Sequence, residues 1–284
     1  MRYVSYFDDA FLRPGALTND RVAPIACDDM RSFIALSPAE RSKRIESPTL
    51  DARKLRLGAP LLPPRNVFCV GRNYLDHALE GARASGRELK LPDVPTFFTK
   101  ATTAVIGPGA TVHFDASISS QYDFEAELAI VIGERCRDVR EERAHEVIFG
   151  YTCCNDLTAR DLQREHVQWM KGKSLDESCP LGPAIVGSDE LRDPQSLEIA
   201  MFVNDVEKQR STTAKMIFSI PRIIAELSRG MTLLPGDVIA TGTPEGVGFA
   251  RTPPEFLRDG DRLEVRIESI GSLFNTISLT GELR

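Results

Sequence analysis

Asp123-Phe124-Glu125-Ala126-Glu127-Leu128-Ala129-Ile130-Val131-Ile132-Gly133 is the stretch on which the reading of this chain turns. Its second half is an apolar, β-branched run closed by glycine, which predicts a strand. Alternation along a strand puts Asp123, Glu125 and Glu127 on one face and Phe124, Ala126 and Leu128 on the other. Carboxylates at every second residue stand about 7 Å apart and repel one another. Burial raises that cost, because an ionised carboxylate leaving water needs a partner. Two environments remove the difficulty: a bound divalent cation, or an edge strand turned to solvent. The stretch alone leaves both open.

A chain of 284 residues has room for one large domain, or a large and a small one. With 42% hydrophobic and 27% charged residues, it reads as a soluble globular protein with a substantial core. The formal net charge of -6 and the lack of any long like-charge block argue against nucleic acid as a partner. Asp8 and Asp9 stand where a secretory signal would have its apolar core, and no apolar run is long enough for a membrane span. Six cysteines, at 27, 69, 136, 153, 154 and 179, form no Cys-x-x-Cys pair. They are expected to be reduced thiols in a cytoplasmic protein, mostly filling core.

Residues 1–60 read as a small separate unit. It has a strand over Met1–Phe7, a turn at Arg13-Pro14-Gly15, and a helix opened by Ser37-Pro38-Ala39-Glu40, where serine caps and glutamate reaches back. The proline-rich run Gly58–Pro64 then reads as a linker. Asn66–Val70 is a short buried strand ending at Gly71-Arg72-Asn73-Tyr74. His77 and Glu80, three apart, share a face of a helical turn. A carboxylate beside an imidazole is a usual way of making a general base, although such pairs also arise by coincidence on surfaces. Residues 81–94, with Arg83, Arg87 and Lys90, read as a loop that could hold an acidic ligand or face solvent. Pro95–Lys100 resumes a strand, and Arg140–Ile148 reads as a short charged helix.

Tyr151–Asp156 reads as a strand with a helix following from about Thr158. That places Asp156 where either a ligand carboxylate or a helix cap would sit, and puts Arg160 and Gln163 on one helix face. Gln168–Ser174 is loop-like; Gly172-Lys173-Ser174 resembles the tail of a phosphate-binding loop, but Val167 stands where the first glycine is required. Lys173 is left as a lone cation, for a substrate oxygen or for solvent. The remainder is mainly β, with strands at Leu197–Asn204, Asp237–Thr241 and Leu263–Ile267 and a helix at Pro221–Ser228. The loop Gly242-Thr243-Pro244-Glu245-Gly246-Val247-Gly248 has amides that could cradle a carboxylate or simply turn the chain.

Taken in order, these segments resemble the fumarylacetoacetate hydrolase family. The motifs are Gly71-Arg72-Asn73-Tyr74 with His77 and Glu80, Asp123–Glu127, Asn155-Asp156 with Arg160 and Gln163, Gln168-Trp169 with Gly172-Lys173-Ser174, Cys179–Pro183, and Pro235-Gly236-Asp237 leading to Gly242-Thr243-Pro244. The resemblance runs from about residue 64 to the C-terminus. It implies an α+β, mostly β fold, with a rolled mixed-sheet catalytic domain over 61–284 behind a small N-terminal domain over 1–60, and a homodimer. It implies Glu125, Glu127 and Asp156 as metal ligands, His77 and Glu80 as base and partner, and Lys173 as a catalytic cation. Arg72, Tyr74, Arg160, Gln163 and Thr243 are implied to line the substrate site. An all-oxygen ligand set favours Mg²⁺ first, then Mn²⁺ or Ca²⁺.

Two departures from the family pattern stand out, a long basic loop between Glu80 and Pro95 and Asp205 where the turn after Val203-Asn204 would carry glycine. The implied activity is metal-dependent cleavage of a C–C bond in a small 2-oxo acid, of the acylpyruvate or fumarylpyruvate hydrolase type. In that scheme His77 activates water and Lys173 stabilises the oxyanion. The alternatives are an oxaloacetate-type decarboxylase, a 2-hydroxyhepta-2,4-diene-1,7-dioate-type isomerase and, from a different class, a non-catalytic binder of acidic metabolites.

Overall fold

The apolar run becomes a strand, Ala126–Ile132, buried along its whole length. Leu128, Ile130 and Ile132 face one core together with Val70, Ile223 and Ile277. Ala129 and Val131 face a second core together with Phe33, Val67 and Ile185. Both faces are therefore apolar, which is why the stretch reads as a continuous hydrophobic run rather than an alternating one. Ile148–Asn155 pairs antiparallel on one side (Ala126 opposite Asn155), and Val238–Ala240 antiparallel on the other (Ala129 opposite Ala240). The computed structural model describes residues 1–86, 88–89, 91–191 and 193–281; Arg87 and Lys90 lie outside the described residues.

Twelve strands among the described residues form one mixed sheet around this strand. From Ala126–Ile132 the order runs through Val238–Ala240 to Val67–Gly71 and Thr96–Lys100, and in the other direction through Ile148–Asn155 and Cys179–Gly187 to Arg2–Asp8. Val67–Gly71 and Val238–Ala240 are parallel. A second sheet of five strands has Arg262–Ile267 at its centre. It packs its apolar side chains, among them Leu263, Val265 and Ile267, into the first core. The fold is thus α+β and mostly β, as the resemblance implied.

The N-terminal strands Arg2–Asp8, Phe11–Thr18 and Arg21–Pro24 continue the large sheet, because Tyr3 pairs with Ile185. Met30, Phe33 and Ile34 share the second core with Val67 and Val131. The capping box at Ser37 and Glu40 is formed, with Ser37 Oγ accepting from Glu40 N and Glu40 Oε2 accepting from Ser37 N. Arg13-Pro14-Gly15, expected as a turn, lies instead inside a strand. Pro14 needs only its carbonyl there, which accepts from Ile25 N at 3.0 Å. A Cβ on Gly15 would come within 2.5 Å of Val22 Cγ1.

Other differences are local. The acidic stretch is two strands, Tyr122–Asp123 and Ala126–Ile132, with Phe124 and Glu125 between them. Residues read as loop from 81 begin inside a helix, Leu75–Ser85, which ends on Gly86 in the left-handed conformation. The helix expected from Thr158 starts at Arg160, because Thr158–Ala159 pairs as a short strand with Tyr122–Asp123. Asp156 is therefore no helix cap. Met170–Lys173 is a single helical turn rather than loop, and Glu141–Val147 is a 3₁₀ helix. Asn204 and Asp205 both have positive φ, 52° and 65°, in the two-residue turn joining Val203 to Val206. Glycine is expected in such a turn for that reason.

Arg65 ties the linker to the turn ahead of Val238–Ala240. Its Nε donates to Asp237 Oδ1 at 3.0 Å and its Nη2 to Oδ2 at 2.5 Å, with a further bond to Thr232 O. The Asp237 side chain is fully buried while that of Arg65 is 35% exposed. Arg65→Ala leaves a buried carboxylate without its cation. The expected loss is about 2–3 kcal/mol, read as a lower urea midpoint, with partial recovery in Arg65→Lys because a lysine cannot make the paired contact.

Candidate metal and active site

Glu125 and Glu127 flank the start of the central strand, and Asp156 follows directly on its neighbour. The junction is fixed by backbone bonds: Asp156 N donates to Glu125 O at 2.9 Å, and Glu125 N donates to Asn155 Oδ1 at 3.1 Å. These three carboxylates are buried and offer oxygens that all lie within 4.8 Å of one another. Asp123, the remaining acid of the stretch, turns elsewhere. It accepts from Arg160 Nε (2.8 Å), Gly248 N (2.8 Å) and Phe249 N (3.0 Å).

Three buried cations answer the acids. Lys173 Nζ lies 2.7 Å from both Glu125 Oε2 and Asp156 Oδ2. Arg160 Nη2 pairs with Glu125 Oε1 at 2.7 Å. Lys100 Nζ donates to Asp156 Oδ1 at 2.7 Å and to Leu157 O at 2.9 Å. Among the described residues no cation is in salt-bridge contact with Glu127; its Oε2 accepts from Gly242 N at 2.7 Å. A Cβ on Gly242, whose φ is 97°, would meet Asn73 Cβ at 2.8 Å and Val70 O at 3.0 Å. Glycine is thus needed for the amide to reach the carboxylate.

The consequences for ionisation diverge. Burial pushes Glu125 up, but Lys173 and Arg160 outweigh it and hold the group down to about 2. Burial pushes Glu127 well above the usual carboxylate range, and the charges of Asp156 and Glu125 push it further. A divalent cation relieves this conflict, since it favours the ionised form of all three groups at once. Hard oxygen donors, close and buried, fit Mg²⁺, Mn²⁺ or Ca²⁺. By donor chemistry the cluster fits the metal expected from the sequence.

His77 and Glu80 lie on one face of the helix Leu75–Ser85, with His77 Nδ1 at 2.9 Å from Glu80 Oε1. Glu80 Oε2 accepts from Gly246 N at 2.8 Å, which anchors the pair to the glycine-rich loop. With Glu80 ionised its carboxylate only accepts, which makes Nδ1 the donor of this bond and leaves Nε2 outside it. Tyr74 is buried, and its hydroxyl has no hydrogen-bond partner among the described residues. Burial, then Glu127 and Glu245, raise its pKa, so the phenol stays protonated.

Gln163 Oε1 accepts from Arg160 Nη1 at 3.1 Å, and Thr243 Oγ1 accepts from Gln209 Nε2 at 2.8 Å. Arg72 stands apart, exposed, with a φ of 56° and its guanidinium 5.6 Å from the Trp169 ring centroid. The single turn Met170–Lys173 carries Lys173 inward because Gly172 packs on the backbone of Gln163, where a Cβ would come within 2.5 Å of its nitrogen.

Sequence reasoning missed Lys100, which looks like the last residue of an ordinary strand. It also missed Asn73, whose amide bridges Thr241 O and Phe218 O, and Gln209, which joins Ala126 N to Thr243. No spacing rule connects residues so far apart in the chain. Asp123 was read, but with its partner unassigned.

Comparison with known proteins gives a consistent result. A family model described as fumarylacetoacetate (FAA) hydrolase C-terminal matches residues 66–278. Oxaloacetate tautomerase YisK of Bacillus subtilis is 46% identical over 225 residues, which cover 79% of this chain and 73% of that protein. The human mitochondrial oxaloacetate tautomerase FAHD2A is 38% identical over 244 residues, covering 85% and 76%. Among solved structures, a fumarylacetoacetate hydrolase from Exiguobacterium antarcticum superposes with a TM-score of 0.83 at 40% identity, covering 99% of this chain and 100% of that one. A 5-carboxymethyl-2-hydroxymuconate delta-isomerase from Mycobacterium smegmatis gives 0.82 at 35% identity, with the same coverage.

The opposed shifts of Glu125 and Glu127 set a pH dependence. The Glu125 pKa is lowered on folding, so its contribution is present above the ordinary value of 4.5 and is lost as pH falls toward about 2. The Glu127 pKa is raised, so its contribution is present below 4.5 and is lost as pH rises through the raised value. In chelator at pH 8, Glu127→Gln should therefore raise stability by about 1–3 kcal/mol, measured by denaturant unfolding. Mg²⁺ at a hundred times its dissociation constant should add about 2.7 kcal/mol to the unaltered protein and much less to the variant.

Proposed function

The chain belongs to the fumarylacetoacetate hydrolase family and is an enzyme, and from that premise we propose that it interconverts the keto and enol forms of a small 2-oxo acid. The substrate class is a 2-oxo diacid of the oxaloacetate type. The observation that carries this reading is the pairing of a buried carboxylate cluster with a histidine base whose Nε2 is left unengaged by Glu80. The relatives named as oxaloacetate tautomerases, and the structure named as an isomerase, favour this reading, which the sequence alternatives of decarboxylase and isomerase did not include, over the hydrolase reading that the motifs first suggested.

In the proposed mechanism Glu125, Glu127 and Asp156 would hold a divalent cation, with Mg²⁺ the first choice, which would supply Lewis acidity toward the substrate's 2-oxo group. In enolisation His77 Nε2 removes the proton from the carbon beside the 2-oxo group while the 2-oxo oxygen takes one from solvent. In ketonisation the enol hydroxyl gives its proton to solvent and the protonated His77 returns one to the carbon. Glu80 keeps the imidazole in the required tautomer and stabilises the imidazolium that forms. Tyr74, with a protonated and otherwise unpartnered hydroxyl, donates to a substrate oxygen. Gln163, Thr243 and Lys173 contribute further polar contacts, and Arg72 lies toward the exposed rim. Arg160 acts on the substrate through others, since it holds Asp123, Glu125 and Gln163 in place.

Hydrolysis of an acylpyruvate needs the same cluster and the same base, with water in place of the substrate carbon, and is the second reading; the structure named as a hydrolase supports it. Three further expectations remain part of the proposal. A division of the chain near residue 60 is supported by the family match beginning at 66. A reducing, cytoplasmic compartment is supported by six free thiols. A homodimer is supported by family membership.

The test follows the enol absorbance of oxaloacetate with Mg²⁺, alongside acylpyruvate cleavage and decarboxylation. The expected result is metal-dependent acceleration of ketonisation, abolished in Glu125→Gln and reduced about 10²–10⁴-fold in His77→Ala. Acylpyruvate cleavage without ketonisation would establish the hydrolase reading instead. Binding without turnover on any of these substrates would leave a binder of acidic metabolites.

A further inference from the structure

Glu125 and Asp156 each have one oxygen held by a cation of the framework and one held by Lys173. Glu125 Oε1 is on Arg160 Nη2 and Asp156 Oδ1 is on Lys100 Nζ, each at 2.7 Å. The remaining oxygens, Glu125 Oε2 and Asp156 Oδ2, are both 2.7 Å from Lys173 Nζ. A divalent ion that draws on these two residues must take the oxygens the ammonium now holds, or sit within a few ångströms of it. Two cations sharing the same two oxygens repel, and the repulsion is strong where water is excluded.

The three cations are not equally replaceable. Arg160 is fixed a second time through Nε on Asp123 and a third through Nη1 on Gln163. Lys100 is fully buried and also donates to the carbonyl of Leu157. Lys173 Nζ rests on the two carboxylates over the Phe98 ring, 5.2 Å from its centroid. It stands at the end of one helical turn, and a lysine stem is long and rotatable.

Counting all groups as ionised, Asp123, Glu125, Glu127 and Asp156 face Lys100, Arg160 and Lys173. A divalent ion added to that set makes the third monovalent cation surplus.

We infer that Lys173 occupies the place of the divalent cation in the metal-free protein, and that metal binding displaces its ammonium from Glu125 and Asp156 into the substrate space. The inference rests on the metal-dependent reading above. It means that the carboxylates are never left without a counter-charge, and that the lysine becomes a free donor to a substrate oxygen only once the metal is in place. Metal loading and assembly of the substrate site are then one event.

The experiment is acetylation of the whole protein with an N-hydroxysuccinimide ester, in chelator and in excess Mg²⁺, with modified peptides quantified by mass spectrometry. Acetylation at Lys173 should rise several-fold with Mg²⁺, with Lys100 unmodified in both conditions and exposed Lys43 equally modified in both. Unchanged protection of Lys173 under conditions where calorimetry records bound Mg²⁺ would overturn the displacement and leave the metal site standing. Failure of both Mg²⁺ and Mn²⁺ to bind would overturn both. As a second measurement, Lys173→Met removes the competitor, so the Mg²⁺ dissociation constant should fall by about tenfold or more. Weaker binding in that variant would contradict the inference.

Discussion

Buried charge must be matched, and in this protein that requirement fixes where distant parts of the chain meet. Asp123, Glu125, Glu127 and Asp156 are all almost wholly removed from water. Each alone would be prohibitive to bury. Their partners come from the end of the strand Thr96–Lys100, the first turn of the helix Arg160–Glu165, the turn Met170–Lys173 and the amides of residues 242–249. The apolar cores on either side of Ala126–Ile132 flank the strand, and the ion pairs tie residues 100, 160 and 173 to the carboxylates at its end. Replacing such a network with apolar residues need not destabilise a protein, so its presence here is better explained by function than by folding.

Much of this was legible in the sequence. The β-branched run announced a strand, though not the burial of both its faces, and apolar runs between turn residues located a minority of the other strands, among them Val67–Gly71 and Val238–Ala240. Three carboxylates at alternate positions announced a charge problem, though not its solution. Local alternation treats Asp123, Glu125 and Glu127 as equivalent. The structure separates them by ending one strand at Asp123 and starting the next at Ala126, because Tyr122–Asp123 pairs with Thr158–Ala159 instead of continuing. That choice is made by a partner strand more than thirty residues away, which no local period encodes.

Lys100 shows the same limit from the other side. Thr96-Phe97-Phe98-Thr99-Lys100 looks like a strand ending in a solvated lysine, and its burial follows only from the position of Asp156. The first sixty residues show it at the level of the sheet. Arg2–Asp8 was readable as a strand, but its neighbour Cys179–Gly187 lies far along the chain. Strands and side chains of the first sixty residues thus join the sheet and core built by residues far along the chain. Pro14 inside a strand is a smaller instance, since a tight turn and a residue that needs no amide donor give the same signal.

The choice of residue type at the three cationic positions follows from the same physics. A guanidinium offers donors in a fixed planar fork and stays charged in any environment. Arg160 uses that fork to join Asp123, Glu125 and Gln163 in one geometry, which suits a residue that must not move. An ammonium is a compact charge with no preferred direction on a flexible stem. At Lys100 the ammonium is tied to a carbonyl as well as to its carboxylate, so the group behaves as a fixed charge. At Lys173 the same ammonium bridges two carboxylates that both have other holders. Its departure would therefore strand neither of them once another cation arrives. A second arginine there would bind the pair more rigidly and would leave no room for exchange, so lysine is the residue type that lets one set of carboxylates serve two cations in turn.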